Sequence, residues 1–379
     1  MMPKRENLEL ACFEVSPERG FLPHPDPLHS LPKELGYLDE FGRCLPEMIR
    51  QNTVNSEARK LPVPSQYQLL SLDGPVAQLV WVRYGFIQNA CAHSQEPPVS
   101  ICRNVAVPMW RLSKILNKPP ILSYDAYALK NWKRKDPNGP IKIDNLELVQ
   151  TFISDSDQAW FILIHVDIEY EAATAIRNLR EVILAAERSD DSALECALLD
   201  IDKALGNMIA TMKRMPEGTS PDTYYKIRPW IMSFENVIYE GVEEYGGRPQ
   251  SFRGQTGAQT SIFQSLEAGL QMPPMESNEL ARYLKEMRLY MSHGHRQFIR
   301  EVEARSRVRE FIAFRAPYFA KTYNGCVDKI CDFLDIHFGY AVIYIHRKTS
   351  NPKGTGGTDF MKYLKSRLEE RRKNSYVRI

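Results

Sequence analysis

No Cys-x-x-Cys pair occurs among the seven cysteines of this 379-residue chain. They stand at positions 12, 44, 91, 102, 196, 326 and 331, match no zinc spacing, and are odd in number. They read as reduced thiols of a cytoplasmic protein. Charge of one sign is missing too. With 49 basic against 47 acidic side chains, the net +2 offers no footprint for nucleic acid or an anionic membrane. No apolar run is long enough to cross a bilayer, and the stretch Met1 to Leu10 lacks a signal-peptide core. No internal repeat or low-complexity tract is present. No Ser-His-Asp or Cys-His order stands out for nucleophilic catalysis. The glycines of Gly354 to Thr358 lack the Gly-Lys-Ser/Thr ending of a phosphate loop, and no strand signal leads into them. These absences set aside nucleic acid, membrane, nucleotide and structural zinc. A monomer is expected, and the ligand is left to the motifs.

The residues that are present point to helices. Hydrophobic side chains make up 43% of the chain, enough for a sizeable core. The first thirty residues are proline-rich and expected to be extended, and Leu69 to Ile87 is apolar and expected to be buried. Asp136-Pro-Asn-Gly-Pro140 is a strong turn. Beyond about residue 145 the pattern is helical. Phe161 to Glu187 carries an apolar stripe through Ile164, Ile168, Ala172, Ala175, Leu179 and Ile183. Helices are also predicted over Leu194 to Met215, Pro221 to Phe234, Ser261 to Leu270, Leu280 to Met291 and Tyr323 to His346. The few strand signals lie mainly in the first half. The predicted class is mostly α: a small mixed N-terminal domain over residues 1–150, and a large all-helical domain over residues 151–379.

Two loops stand out, Ser251 to Gln264 and Lys353 to Asp359. Both are rich in glycine and threonine, which let backbone approach a ligand closely. In the second, the glycines read as hinges of a lid and Thr355 as a polar contact. His337 falls on the apolar stripe of one long helix and His165 on that of another. Each reads as a haem-pocket residue or as a core histidine bonded to backbone. Arg228 follows Tyr224 and Tyr225 in apolar surroundings, where a guanidinium needs a carboxylate from substrate or protein. His293-Gly-His295 reads as a polar helix end, and Lys362 to Arg378 as a solvated basic helix.

Taken together these blocks resemble the indoleamine 2,3-dioxygenase family. The likeness runs through Arg19-Gly-Phe-Leu-Pro23, Pro120-Ile-Leu-Ser-Tyr124, Trp160-Phe161 with His165-Val-Asp-Ile-Glu169, and Val237-Ile-Tyr-Glu-Gly241. It continues through Phe252 to Gln264, Tyr323-x-x-Cys326, His337 and Lys353 to Asp359. The resemblance implies haem b in the larger domain, with His337 as the proximal iron ligand and the smaller domain capping the distal side. It implies dioxygen and a small indole as partners, and cleavage of the indole C2–C3 bond of L-tryptophan to N-formylkynurenine. By position, Arg228 corresponds to the arginine on the substrate carboxylate and Thr355 to the lid threonine near the ammonium. Thr256 and Gly257 correspond to small residues over the haem edge. Tyr124, Tyr127, Ala128 and Phe161 correspond to pocket-lining positions.

There are departures. Thr223 stands where the family often has a phenylalanine against the indole, so apolar contact is lost there, and Tyr224 is the neighbour that could compensate. His165 replaces a serine found in some members, and could bond the indole N–H or bound oxygen. Met291-Ser-His-Gly-His-Arg296 departs from the family's Met-Pro-Pro pattern. Thr223 leaves open a haem monooxygenase of another aromatic substrate, and a non-catalytic haem sensor is the third reading.

Overall fold

The computed structural model describes residues 8–154, 156–274, 279–345, 347, 354–357 and 360–377. Helix accounts for 66% and strand for 5%, as the sequence pattern predicts. The first half holds α1 Gly36–Arg50, α2 Val54–Ala58, α3 Gln66–Leu70, α4 Gly74–His93 and α5 Arg103–Ile115. The second holds α6 Ser156–Arg188, α7 Asp191–Lys213, α8 Met215–Gly218, α9 Pro221–Ile227 and α10 Ser261–Gly269. It ends with α11 Glu279–Met287, α12 His293–Arg305, α13 Val308–Phe314, α14 Ala320–Tyr344 and α15 Phe360–Asn374. His346, Lys353, Thr358 and Asp359 lie outside the described residues.

Helix α6 is the spine. Its predicted stripe is buried from Ile164 to Ile183. Burial spreads to other faces as well, through Ile162, Val166, Ala173 and Ile176, because α7, α10, α12 and α13 all pack on it. Helix α4 is buried on nearly every side, and its start is fixed by sequence. The Asp73 carboxylate accepts the Val76 N–H at 2.8 Å, and Pro75 occupies the first turn, where a missing N–H costs nothing. The buried side chains form one continuous cluster running from Leu8 to Val377.

Among the described residues five short strands contribute two small sheets. Strands β2 (Trp132–Arg134) and β3 (Leu146–Leu148) pair antiparallel around the predicted Asp136–Pro140 turn. Strand β1 (Ser100–Ile101) runs parallel to β4 (Phe234–Tyr239), which pairs antiparallel with β5 (Gln250–Phe252). This second sheet was not anticipated. It joins Ile101 to Tyr239 across the two halves of the chain, a pairing that no local pattern encodes.

Three expectations change. The proline-rich start is only partly extended: Leu10–Phe13 forms a 3₁₀ turn, and Phe21 and Leu22 are core residues. Asp26 anchors this segment by taking both Arg19 (2.7 Å) and Arg134 (2.7 Å). His295 is no surface residue. It is buried against Phe21 with ring centroids 4.6 Å apart, and its Nε2 lies 3.2 Å from the Glu14 carbonyl. Gly294 permits this approach, since a Cβ there would fall 2.4 Å from the Phe13 carbonyl oxygen. Nor is α15 wholly solvated. Arg367 and Arg371 are buried and both reach Glu267 on α10, at 2.7 and 2.6 Å.

Removing one member of such a buried ion cluster strands the others. Glu267→Ala should therefore lower unfolding free energy by ~3–5 kcal/mol, measured by urea denaturation. A loss below about 1 kcal/mol would contradict a buried, paired Glu267.

Candidate active site

Helices α6, α9, α11 and α14 and both glycine-threonine loops enclose one largely apolar cavity. His337 reaches it from α14 and His165 from α6. Both rings keep partial exposure because they face the cavity, although they lie deep in the protein. Among the described residues nothing hydrogen-bonds to His337. Burial lowers its proton affinity to about 4, with His165 and Arg367 pushing the same way, so the ring is neutral and offers a lone pair.

His165 differs in one respect. Its Nδ1 lies 2.7 Å from the Phe161 carbonyl oxygen, one turn back on α6. A carbonyl only accepts, so Nδ1 carries the proton. Burial lowers the ring's pKa, leaving it neutral. Nε2 is therefore an acceptor.

An aromatic wall adjoins His165. Phe161 packs on Tyr224 with centroids 4.8 Å apart and meets the His165 ring edge-on at 5.0 Å, while Tyr224 meets Tyr344 at 6.0 Å. Thr223 does not line the cavity. As part of the first turn of α9, its N–H and hydroxyl are engaged by the Ser220 hydroxyl, both at 3.1 Å. Tyr224, one residue on, supplies the wall. Tyr127 and Ala128 are also off the wall. They sit in the π-helical turn Asp125–Leu129, with Tyr127 stacked on Phe86 at 5.8 Å. Arg228 is half-buried where α9 ends, outside the lining, and its charge is felt at the Tyr224 phenol. Tyr124, Thr256, Gly257 and Thr355 do face the cavity.

The first loop owes its composition to packing as much as to the cavity. A Cβ at Gly254 would fall 2.4 Å from the carbonyl oxygens of Ile231 and Thr355. The hydroxyls of Thr256 and Thr260 accept backbone N–H groups at the starts of Gly257–Gln259 and α10. Gln259 ties the loop to Tyr124, accepting the Tyr124 N–H at 2.9 Å and donating to the Gly254 carbonyl at 3.0 Å. Gly257 is different. The nearest atom to a Cβ placed there is His337 Nε2, at 4.0 Å, so this backbone borders open space beside the imidazole. The second loop lies against the first: Arg253 donates to the Gly356 carbonyl at 3.3 Å while its guanidinium forks onto Glu286.

Sequence reasoning overlooked Glu169, one turn beyond His165. It is fully buried, and its Oε1 accepts from Tyr124 (3.0 Å) and Thr260 (2.6 Å), two residues of the cavity wall. Burial raises its pKa to about 7 despite both bonds. The i, i+4 spacing from His165 was the available signal.

The sequence profile of the indoleamine 2,3-dioxygenase family matches residues 9–352. This chain belongs to that family. Indoleamine 2,3-dioxygenase 1 of Mus musculus is 34% identical, covering 94% of this chain and 93% of its own. The Rattus norvegicus protein of that name is 32% identical, covering 93% and 92%. A 6-hydroxytryptophan 2,3-dioxygenase of Fusarium equiseti is 28% identical, covering 93% and 94%. The chain is thus an oxidoreductase of the indoleamine 2,3-dioxygenase type, a family of haem-dependent enzymes that use dioxygen and indoles. Among the described residues no helix is long and apolar enough to cross a membrane.

Glu169 gives a pH test. Below its ordinary pKa of 4.5 the group is protonated whether the chain is folded or not. As pH rises through about 7 the folded protein must bury a carboxylate, and that contribution to stability is lost. Glu169→Gln removes the titration. Its stability relative to wild type should improve as pH rises from about 5 to about 8. A pH-independent difference in unfolding free energy would rule out the shift.

Proposed function

We propose that this chain is a haem-dependent dioxygenase that opens the indole ring of L-tryptophan at C2–C3 to give N-formylkynurenine. One observation carries the reading: two neutral imidazoles, on separate helices, face one apolar cavity. The residues fit haem b. His337 offers an unengaged lone pair, and the missing Cβ of Gly257 leaves open space at its Nε2. Among the described residues no three His, Cys, Asp or Glu side chains gather, so a bare ion has no chelating set. A single imidazole suits an iron already held by a macrocycle. When bound, haem supplies the redox-active iron that activates dioxygen.

The chain's own residues do the rest. His337 would hold the iron. Phe161 and Tyr224 pack on the indole, with Tyr224 taking over from Thr223. The acceptor Nε2 of His165 takes the indole N–H and orients C2–C3 without removing the proton, which N-formylkynurenine retains. Thr355 and Arg228 hold the amino-acid end, and Thr256 and Gly257 would border a bound haem. The apolar wall keeps water from the reacting carbons. Residues 1–150 form the smaller domain and contribute Tyr124. Both atoms of dioxygen enter the product and no external reductant is consumed per turnover.

A ring-hydroxylated tryptophan is a second reading, favoured by the name of the Fusarium equiseti relative. The two are separated by mass spectrometry of products made by reduced, haem-loaded protein under ¹⁸O₂. L-Tryptophan should yield a product with two labelled oxygens. One labelled oxygen would make the protein a monooxygenase. No product despite bound haem, with turnover of 6-hydroxytryptophan, would establish the second reading.

His337→Ala should abolish the Soret band of bound haem, and normal retention would remove the ligand assignment. His165→Ala should keep haem but slow turnover. Arg228→Leu should keep haem and raise KM for L-tryptophan, by ~1.5–3 kcal/mol in binding. An unchanged KM would take Arg228 out of the site.

A further inference from the structure

Gln255 has no structural task, although everything around it does. It is only 5% exposed, lines the cavity, and makes no hydrogen bond among the described residues. The backbone that carries it is pinned on both sides. Arg253 N–H donates to the Tyr290 hydroxyl at 2.9 Å, and Gly254 is wedged between Ile231 and Thr355 with its carbonyl taken by Gln259. An amide that lines a cavity with no protein partner, on backbone pinned at both sides, is placed for a ligand.

The other polar groups of the wall narrow the ligand's chemistry. The Arg367 guanidinium is committed to Glu267 at 2.7 Å. Tyr124 and Thr260 donate their hydroxyl protons to Glu169. His165 presents only an acceptor to the cavity. Thr355 is the neighbour in the same position as Gln255: buried, on the wall, and without a hydrogen bond among the described residues. Its carbonyl oxygen touches Gly254, so the two side chains spring from adjoining backbone. Gln255 brings two N–H donors to a wall whose other polar groups mainly accept.

We propose that Gln255 is a specificity-determining residue whose amide N–H groups donate to a carboxylate held in the cavity. The carboxylate is either that of the amino-acid substrate or a propionate of the haem. This rests on the reading given under the proposed function.

The test uses haem-loaded wild type, Gln255→Leu and Gln255→Glu. Equilibrium Kd values for L-tryptophan and for tryptamine, which lacks the carboxylate, are read from the haem absorbance. Haem loss is timed by transfer to apomyoglobin. If the carboxylate is the substrate's, Q255L weakens L-tryptophan about tenfold or more, while tryptamine affinity and haem transfer stay at wild-type values. If it is a propionate, Q255L speeds haem transfer by a similar factor, the dimethyl ester of haem abolishes the difference, and the L-tryptophan to tryptamine ratio is unchanged. Q255E keeps the shape of the side chain but sets a like charge against the ligand. It should worsen the same quantity further, and it decides the matter if Q255L does not fold. Wild-type values for all three quantities in a folded variant would overturn the assignment of Gln255 alone. A wild type that takes up haem but binds no amino-acid substrate, or takes up no haem, would overturn the underlying reading instead.

Discussion

Everything at the site depends on α7 being packed between α6 and α14. One flank lies on α6, where the Asn178 amide donates to Asp200 at 3.3 Å. The other lies on α14, where Cys326 Sγ donates to the Leu198 carbonyl at 3.5 Å and Lys329 pairs with Asp202. Leu198, Ile201, Leu205 and Met208 are fully buried along the way. With α7 as spacer, the helices carrying His165 and His337 are held at fixed separation, and the space near their cavity-facing turns stays open. Met212 and Met215, at the end of α7 and the start of α8, line that space. Their flexible thioethers suit a wall that can adapt its shape.

The hollow shapes its own electrostatics. Few charges face it, so each imidazole beside it is neutral, and the groups that do ionise nearby are spoken for. Arg367 is tied to Glu267, while Glu169, with no cation beside it, is pushed towards its neutral form. The result is a wall of lone pairs and donors with little net charge. Such a wall discriminates by hydrogen-bond direction more than by attraction. The tautomer of His165, set by a backbone carbonyl, is the clearest instance.

Much of this was legible in the chain itself. The 3.6-residue stripes of α6 and α14 announced two buried helices, and the histidines on them were visible as exceptions to an apolar pattern. Both glycine-threonine loops were visible from composition. Gly257 borders open space beside His337, whereas Gly254 is glycine because protein backbone presses against it. Features made by contacts far apart in sequence were illegible. Pairing of Glu267 with Arg367 and Arg371 spans about a hundred residues, and without it α15 looks like a solvated basic helix. The β1–β4 pairing likewise depends on two segments of unremarkable composition meeting. Position by resemblance also differs from position in space. Tyr127 and Ala128 belong to a buried π-helical turn and Thr223 to the first turn of α9, off the wall, and Arg228 stands half-buried where α9 ends.

The Glu267 cluster has a consequence for the order of assembly. Leu364 and Arg367 complete the cavity wall, and the docking of α15 on α10 and α14 holds them there. The spine of α6, α7 and α14 is built from contacts made upstream of this helix. A chain synthesised as far as Tyr344 therefore already holds both histidines but only an unfinished chamber around them. Burial of the two guanidinium groups against Glu267 is what fixes α15, and with it this last part of the wall.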